Sequence, residues 1–456
     1  MTTTIQGVGW APASNTFAAS PNWIRLDDPS LGLVAGYTID RGRSFELDRT
    51  DAGTAKIEIF DRNGVLDPTN AGGPYLAQLQ PLKQAGIALY DPIAAAWNTI
   101  FRGYIEDYDY SLDQAQNVMK LTLSLVDGFG ILSAAKMYPD GTFGDDPATA
   151  IPQSAAVGNV FFADAVVNAR CTQVLGNLGW PTSLQRIFTG NVVLQAFPYT
   201  PGESVLTVLQ DAADAEFPGV ANVYMDRQGI LAWHGRFARF TPVGVSTSTS
   251  WDFRHYKCGD YAACVANVNT VPIRTFQWNR GWSKVRNYAL ATPQGIADAA
   301  VAGQVSKDTT SIGLYGIQSW DAQNLLLKGS RTGANVANPN AEAKLYSNYI
   351  RDNYATPLNR ITSLVFGTPP PNHIRAAKLW TFLTHADISD MIDVTVSHPG
   401  GGGFNNSSFY IEGLHYTARP LAPGLTAVVD VELSLDVSPV GFYTNFAGTV
   451  YDPTTQ

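Results

Sequence analysis

The stretch YTIDRGRSFELDRTDAGTAKIEIFDRNGVLDP, residues 37–68, decides the fold class. Phe45 and Leu47 alternate with acidic neighbours, and a polar turn follows at residues 48–53. Apolar and charged residues then alternate from Ala55 to Ile59. Because successive side chains of a strand point to opposite faces, this pattern predicts a β-hairpin with one buried face. The stretch contains no catalytic motif.

The length and composition indicate a large protein with neutral surfaces. At about 150 residues per domain, 456 residues correspond to roughly three domains. Charged residues make up 15% of the chain, against about a quarter in typical proteins. We therefore expect faces that neighbouring subunits cover.

The net charge of −9 argues against tight binding of nucleic acid, which depends on clustered Lys and Arg. An acidic wall past which DNA slides without binding is compatible with this charge. No apolar run is long enough to cross a bilayer, and the start MTTTIQGVGW does not resemble a signal peptide. We expect a soluble chain, made and assembled in a reducing cytoplasm.

The periodicity along the chain predicts a mainly β fold with an α+β middle, in which two β domains, each a barrel or a sandwich, bracket a mixed α/β module. The predicted units are an amino-terminal arm at 1–30, a first β domain at 31–135, an α/β module at 136–240, a mixed connecting domain at 241–365, a second β domain at 366–440 and a carboxyl-terminal tail at 441–456.

Local patterns place several elements inside these units. Helical spacing predicts a helix from Val167 to Leu178, a second after Pro201-Gly202, a short one from Ser319 to Lys328 and a clearer one opened by Asn338. A turn at 226–229 predicts a hairpin. Strict alternation predicts a strand at 429–437, while 400–408 is expected to form a long flexible tip.

A metal site is one candidate chemistry. His255, Cys258 and Cys264 lie close together in sequence, and Cys171 or His234 would have to complete a four-ligand zinc site. Neither of those two has a paired spacing. Buried thiols and a packed histidine are the favoured interpretation, and three cysteines are too few for a disulfide framework.

A calcium loop is a second candidate, because Asp107, Asp109, Ser111 and Asp113 alternate like the opening of such a loop. The central glycine is missing, and the twelfth position is Val118 in place of a bidentate glutamate. Polar positions around a strand end explain the pattern better.

Catalysis has little support in the sequence. There is no GxSxG, no HExxH and no cysteine–histidine nucleophile pattern. Gly400–Gly403 is not a phosphate-binding motif, and Glu106 and Asp107 are strand neighbours that would face opposite ways. We predict that the chain is not an enzyme and has no catalytic, cofactor-binding or metal-binding residues.

Aromatic residues are densest around Trp251, Tyr256, Trp278 and Trp282, which could line a sugar-binding surface. Most aromatic side chains are expected in the core or at subunit interfaces. The sequon at Asn406 is expected to be incidental.

The order of features in residues 37–68 resembles the start of minor tail proteins from siphophages of Gram-positive, especially actinobacterial, hosts. It runs from Arg41-Gly42-Arg43 through Gly53-Thr54-Ala55 to Asn63-Gly64 and Asp67-Pro68. Similar features continue across about residues 31–438, and the later ones include Phe101-Arg102-Gly103-Tyr104-Ile105, residues 225–231, Tyr354-Ala355-Thr356-Pro357, Asp387-Ile388-Ser389-Asp390 and residues 410–415.

The resemblance implies a structural virion protein of the tail, such as the hub at the tail tip, that closes the tail tube. Two β-barrel-like tube domains per chain would let a homotrimer present a pseudo-sixfold ring to other tail proteins: the distal-tail ring, the tape measure and the tail fibres. A hexameric distal-tail ring and a carbohydrate-binding adhesin stay open as alternatives. The resemblance supplies no catalytic residues.

Overall fold

The computed structural model describes residues 6–11, 22–26, 33–61, 63–113, 118–138, 160–240, 250–255, 273–330, 338–369, 376–397, 403–420 and 429–443. Within them the fold is mainly β with a smaller α+β part, as the sequence predicts. The domain boundaries drawn from composition stay predictions.

The first β half contains strands β1 to β7 and ends in a short helix. Its elements are β1 Gln6–Ala11, β2 Ile24–Arg25, β3 Leu33–Gly42, β4 Asp51–Asp61, β5 Gln84–Asp91, β6 Ala96–Asp113, β7 Val118–Val126 and α1 Gly128–Ala134. Alternate residues of β4, from Ala55 to Ile59, are buried because one face covers the core. Strand β1, which lies in the predicted arm, pairs with β5.

A middle module follows, with short strands around two longer helices. Its elements are β8 Val160–Phe162, β9 Ala165–Val166, α2 Val167–Leu178, β10 Gln185–Ile187, β11 Val192–Leu194, β12 Phe197–Tyr199, α3 Val205–Glu216, β13 Asn222–Met225, β14 Leu231–His234 and α4 Phe237–Phe240. Gly179 ends α2 in a left-handed conformation, and the Ser204 hydroxyl caps α3. Both predicted helices and the predicted hairpin are confirmed.

The connecting segment mixes strands and helices. Its elements are β15 Ser250–His255, β16 Thr275–Asn279, β17 Tyr288–Pro293, α5 Asp298–Gln304, β18 Val305–Lys307, α6 Thr309–Tyr315, β19 Ser319–Leu325, β20 Leu327–Ser330 and α7 Pro339–Tyr354. The Asn338 side chain caps α7 by accepting from Asn340 N, which confirms the predicted start of this helix.

The last elements are β21 Arg360–Gly367, α8 Ala376–His385, β22 Met391–Ser397, β23 Gly403–Pro420 and β24 Val429–Pro439. The predicted strand at 429–437 is confirmed, and its buried residues Val431, Leu433 and Leu435 alternate as expected. Together with β15 and β16, strands β21 to β24 make up the second β half.

The two β halves share one 13-stranded sheet, whose main path runs β16-β21-β24-β23-β3-β4-β7-β6-β5-β1-β2. Strands β22 and β15 branch from β23. The halves meet where β3 pairs antiparallel with β23, over the pairs from Gly42↔Gly413 to Tyr37↔Ala418. We call this pairing the seam.

The second β half curls on itself. Phe276 on β16 lies 5.6 Å from Phe404 on β23, measured between ring centroids, although β21 and β24 separate these strands in hydrogen-bonding order. Contact between non-neighbouring strands requires a strongly curved sheet, as in a barrel. Helix α8 contributes Phe382 and Leu383 to the core shared by both halves.

Two predicted elements are wrong. Residues 43–50 form turns in place of the first hairpin strand, which is β3. Consecutive residues Phe45 and Glu46 are both buried there, because Arg360 pairs with the carboxylate and lies against the ring. The helix predicted from Ser319 is two strands, since β19 pairs with β17 and β20 with β11.

The predicted flexible tip is corrected in part. Residues 403–408 belong to β23, where Ser407 and Ser408 pair with Val394 and Asp393 of β22. Residues 400–402 lie outside the described residues. Pairing along β22 overrides the weak strand propensity of the asparagines and serines.

Candidate functional site at the seam

The end of β3 approaches β23 so closely that only glycine fits at position 42. Gly42 has a φ of +96°, and a Cβ built there would lie 2.1 Å from the carbonyl oxygen of Glu412. The next amide, Arg43 N, donates a 3.0 Å hydrogen bond to that same carbonyl. The glycine therefore lets the chain turn away from the seam while its backbone stays bonded to β23.

Arg41 links three parts of the fold from a buried position. Its guanidinium donates to Asp387 Oδ1 at 2.6 Å, to the Met225 carbonyl at 2.9 Å and to the Ile100 carbonyl at 3.3 Å. Burial acts to lower the pKa of Arg41, but the Asp387 carboxylate raises it overall. Arg41 thus joins the first β half to the middle module and to the segment after α8.

Glu412 is shared by two buried arginines. Arg43 Nε donates to Glu412 Oε2 at 2.8 Å, and Arg239 Nη2 donates to the same oxygen at 3.1 Å. Arg239 Nη1 and the Ser438 hydroxyl donate to Oε1. Arg239 also donates to Ser389 Oγ at 2.8 Å. One carboxylate therefore connects the turn that follows β3, α4 and the second β half.

This cluster holds Glu412 ionised. Burial acts to raise the pKa of Glu412, but Arg239 and Arg43 outweigh it and lower the pKa to about 2. All three side chains are almost wholly buried. A buried charge that loses its partner is strongly destabilising, so these arginines depend on the carboxylate.

The hairpin turn of the middle module also hydrogen-bonds to Asp387, the partner of Arg41. Asp387 Oδ2 accepts from the Arg227 backbone N at 2.8 Å, while Arg227 Nη1 donates to the Thr99 carbonyl at 2.9 Å. Burial and the neighbouring Asp387 carboxylate raise the pKa of Asp226, which accepts from two backbone amides of its own turn. The middle module is thereby fixed to both β halves.

His415 bridges the seam on its exposed side. Its Nδ1 lies 2.9 Å from Asp40 Oδ1 and its Nε2 lies 2.9 Å from Asp436 Oδ2. The hydrogen bond to Asp436 raises the pKa of His415 to about 9, burial opposes this, and the bond to Asp40 adds to it. The imidazolium therefore connects β3, β23 and β24 by charge-assisted hydrogen bonds.

A second buried ion cluster joins α7 to the middle module. Arg236 donates to Glu216 at 3.2 Å, to Glu342 and to the Tyr346 hydroxyl at 3.0 Å. Burial acts to lower the pKa of Arg236, yet Tyr346 and the two carboxylates raise it overall. In both clusters each buried charge has a partner of opposite sign, so each cluster links the elements that carry its residues.

The predicted metal ligands are only partly described. His255 lies in β15, and Cys258 and Cys264 lie outside the described residues. Cys171 is buried in α2 with its pKa raised by burial, and burial followed by Arg239 lowers the pKa of His234 to about 3. In the described ranges no three potential ligands cluster, so the zinc hypothesis stays untested.

The residues that alternate like the opening of a calcium loop lie on strand β6. This agrees with the favoured interpretation, in which they are polar positions of a strand. Asp107, Asp109 and Ser111 face Ser124, Thr122 and Lys120 of β7, and Asp113 pairs with Val118. Alternate residues of a strand are about 7 Å apart along a line, so they do not wrap around an ion. Glu106 lies at a β-bulge beside Asp107, and both are exposed.

Of the aromatic candidates, Trp278 and Trp282 are exposed by 46% and 63%. Trp278 contacts Phe404 at 6.0 Å between ring centroids. The side chain of Trp251 and the whole of Tyr256 are outside the described residues. The sequon serine, Ser408, donates to Asp393 Oδ1 at 2.5 Å on β23.

The sequence did not indicate the buried ion pairs Arg41–Asp387 and Arg43–Glu412 beside the seam, which we call the joint. Arg41 and Arg43 lie in the opening stretch, but their partners Asp387 and Glu412 follow more than 300 positions later. The available signal was a glutamate and a glycine interrupting the apolar pattern of β23 at 412–413. Such an interruption in a buried strand indicates a bulge or an internal ion pair.

None of the described helices combines the length and the apolar character that crossing a membrane requires. No family profile matches the sequence, and no curated protein matches it either.

Solved structures do match. A tail protein from Neisseria meningitidis MC58 superposes with a TM-score of 0.53 at 11% identity, and the match covers 97% of this chain and 99% of that one. The prophage tail protein gp18 from Listeria monocytogenes matches at a TM-score of 0.43 and 8% identity, over 94% of each chain. A Francisella PdpA-VgrG complex matches at 0.49 and 9%, over 96% of this chain and 58% of that one. The Neisseria match establishes a shared fold.

Proposed function

We propose that the chain is a structural protein of a bacteriophage tail, and more narrowly the hub at the tail tip of a siphophage with an actinobacterial host. The observation that carries this proposal is the match to the Neisseria tail protein, which extends over nearly the full length of both chains. A match of that extent includes the relation between the two β halves, not only one common domain.

The same proposal includes a homotrimer that closes the tail tube. Each chain carries two β halves held together by the seam, so three chains would supply six similar units to a hexagonal tube. The buried ion clusters at Arg41 and Glu412 support a rigid building block. A hexameric distal-tail ring is the competing arrangement, and symmetry distinguishes the two.

The proposed role needs no catalysis. Its partners are the distal-tail ring, the tape measure and the tail fibres, and DNA passes transiently without tight binding. The net charge of −9 supports passage without adhesion, since like charges repel. Zymography of the purified chain on host cell walls tests the absence of hydrolysis, and a cleared zone would refute it.

Electron microscopy of intact tails carrying an antibody against this chain tests the role directly. We expect label at the distal end of the tail, and a ring with threefold symmetry and an axial opening in the reconstruction. Sixfold symmetry would favour the distal-tail ring. If the chain is absent from purified tails, the proposal is refuted.

A carbohydrate-binding adhesin is the second candidate, favoured by the exposure of Trp278 and Trp282. Exposed indole rings stack on sugar faces. A glycan array with the wild-type chain and Trp282→Ala tests it. We expect no glycan binding if the role is architectural alone.

A further inference from the structure

One short stretch of the second β half combines exposed aromatic rings with two cations, of which Arg280 is exposed and Lys284 is half-buried. Trp278 and Trp282 are exposed by 46% and 63%, and Arg280 between them is exposed as well. Lys284 follows, with its Nζ 3.7 Å from the Phe45 ring centroid. We call these four residues the basic-aromatic patch.

The two cations of the patch have no carboxylate partner among the described residues. Other basic groups nearby are paired: Arg360 with Glu46, and Arg274 with Asp430 and Glu432. The chain as a whole is acidic, with a net charge of −9. Tryptophan and arginine are the residue types enriched at protein interfaces.

The first β half carries the complementary surface. Glu106, Asp107 and Asp109 on β6 are exposed, and within the described ranges none of them forms an ion pair. The nearest lysine across the hairpin, Lys120, is already paired with Glu58 at 2.8 Å. Leu112 on the same strand is exposed by 56%. We call the three acidic residues the carboxylate row.

These surfaces lie on different strands of the sheet. Seven strand steps separate β16 from β6 in hydrogen-bonding order. No ion pair joins the patch to the row in the part of the chain that the structure describes. Their complementary charges can therefore be satisfied between two copies.

We infer that the basic-aromatic patch of one copy docks on the carboxylate row of the next. This inference rests on the proposed function, because it supplies the contact by which tail subunits assemble. Since the two surfaces differ, the interface is heterologous, and repeating it head to tail closes a ring or extends a filament. A neutral glycan would use the tryptophans but leave both the cations and the carboxylates unpaired.

Charge reversal with rescue tests the interface. Asp107→Lys with Asp109→Lys reverses the row, Arg280→Glu with Lys284→Glu reverses the patch, and the fourfold variant combines all changes. Sedimentation velocity of each full-length chain measures association. Circular dichroism checks that the chain still folds, above all in the variants that change the half-buried Lys284. We expect each reversed pair to weaken association at least about tenfold and the fourfold variant to regain it, because like charges at an interface repel.

The outcomes separate this inference from the proposed function. A reversed pair that assembles like the wild type, or a fourfold variant that does not recover, overturns the interface while leaving the tail role intact. A wild-type chain that stays monomeric over a wide concentration range also overturns the interface. If Trp282→Ala abolishes binding on a glycan array but leaves assembly unchanged, the patch belongs to a glycan and the inference fails.

Discussion

The Arg41 guanidinium donates a 2.6 Å hydrogen bond to Asp387 Oδ1 across 346 positions of sequence. The same arginine bonds the Met225 carbonyl at 2.9 Å. The two β halves and the middle module therefore share one buried contact point, and changes there should affect the whole fold rather than one domain.

Removing the charge of Glu412 should destabilise the protein strongly. Glu412→Gln leaves Arg43 and Arg239 buried without their shared carboxylate, which should cost about 3–5 kcal/mol of unfolding free energy. Urea denaturation followed by circular dichroism measures this. The matched control is Glu58→Gln, whose exposed pair with Lys120 should contribute less than about 1 kcal/mol. If both variants lost the same unfolding free energy, Glu412 would not be the essential partner of the two buried arginines.

Gly42→Ala should be destabilising by about 2 kcal/mol or more, because the left-handed backbone is strained for alanine and its Cβ would clash with the Glu412 carbonyl oxygen. Gly176→Ala in α2 is the control. No atom lies within 4 Å of its Cβ position, so alanine should stabilise the helix by roughly 0.5 kcal/mol. Thermal melting of both variants checks the opposite signs, and an unchanged melting temperature for Gly42→Ala would contradict the close approach.

His415 should make the stability of the seam depend on pH. Its pKa is raised in the folded protein to about 9 from 6.5, so its contribution is fully present below pH 6.5 and is lost as the pH rises through about 9. His415→Gln should remove this part of the pH dependence. Melting temperatures from pH 6 to 10 measure the difference, and parallel curves for the two proteins would count against the Asp40–His415–Asp436 bridge.

Cys171 should be inert in the folded protein. Its side chain is buried in α2 and burial raises its pKa, so little thiolate is available to react. In a Cys258→Ser, Cys264→Ser variant, a chromogenic disulfide reagent should detect no thiol until denaturant is added, and then one per chain. A rapid reaction of the reagent with the folded variant would show that the Cys171 thiol is accessible and would contradict its burial in α2.

The sequence predicts elements whose signals are local. Val431, Leu433 and Leu435 alternate with polar residues, and Asn338 caps the helix that it opens. Prediction fails where distant partners decide the conformation. Glu46 is buried in a turn because Arg360 pairs with it, and the two are 314 positions apart in the sequence. The segment from Ser319 becomes strand because it finds β17 as a parallel neighbour.

The joint could not be predicted for the same reason. The glycine and the arginines around the end of β3 are compatible with many turns. No residue near Arg43 in the sequence indicates that it will form an ion pair with Glu412. Non-local ion pairs leave no periodicity in the sequence, so only the three-dimensional arrangement identifies them.

The seam between β3 and β23 also sets the order in which the newly made chain can fold. Six residue pairs join these strands, from Gly42↔Gly413 to Tyr37↔Ala418. While the ribosome is still adding the intervening residues, β3 has a neighbour on one side only and presents an open strand edge. Until β23 emerges, premature association with another nascent chain competes with correct folding, so β23 completes a sheet that β3 began more than 300 positions earlier.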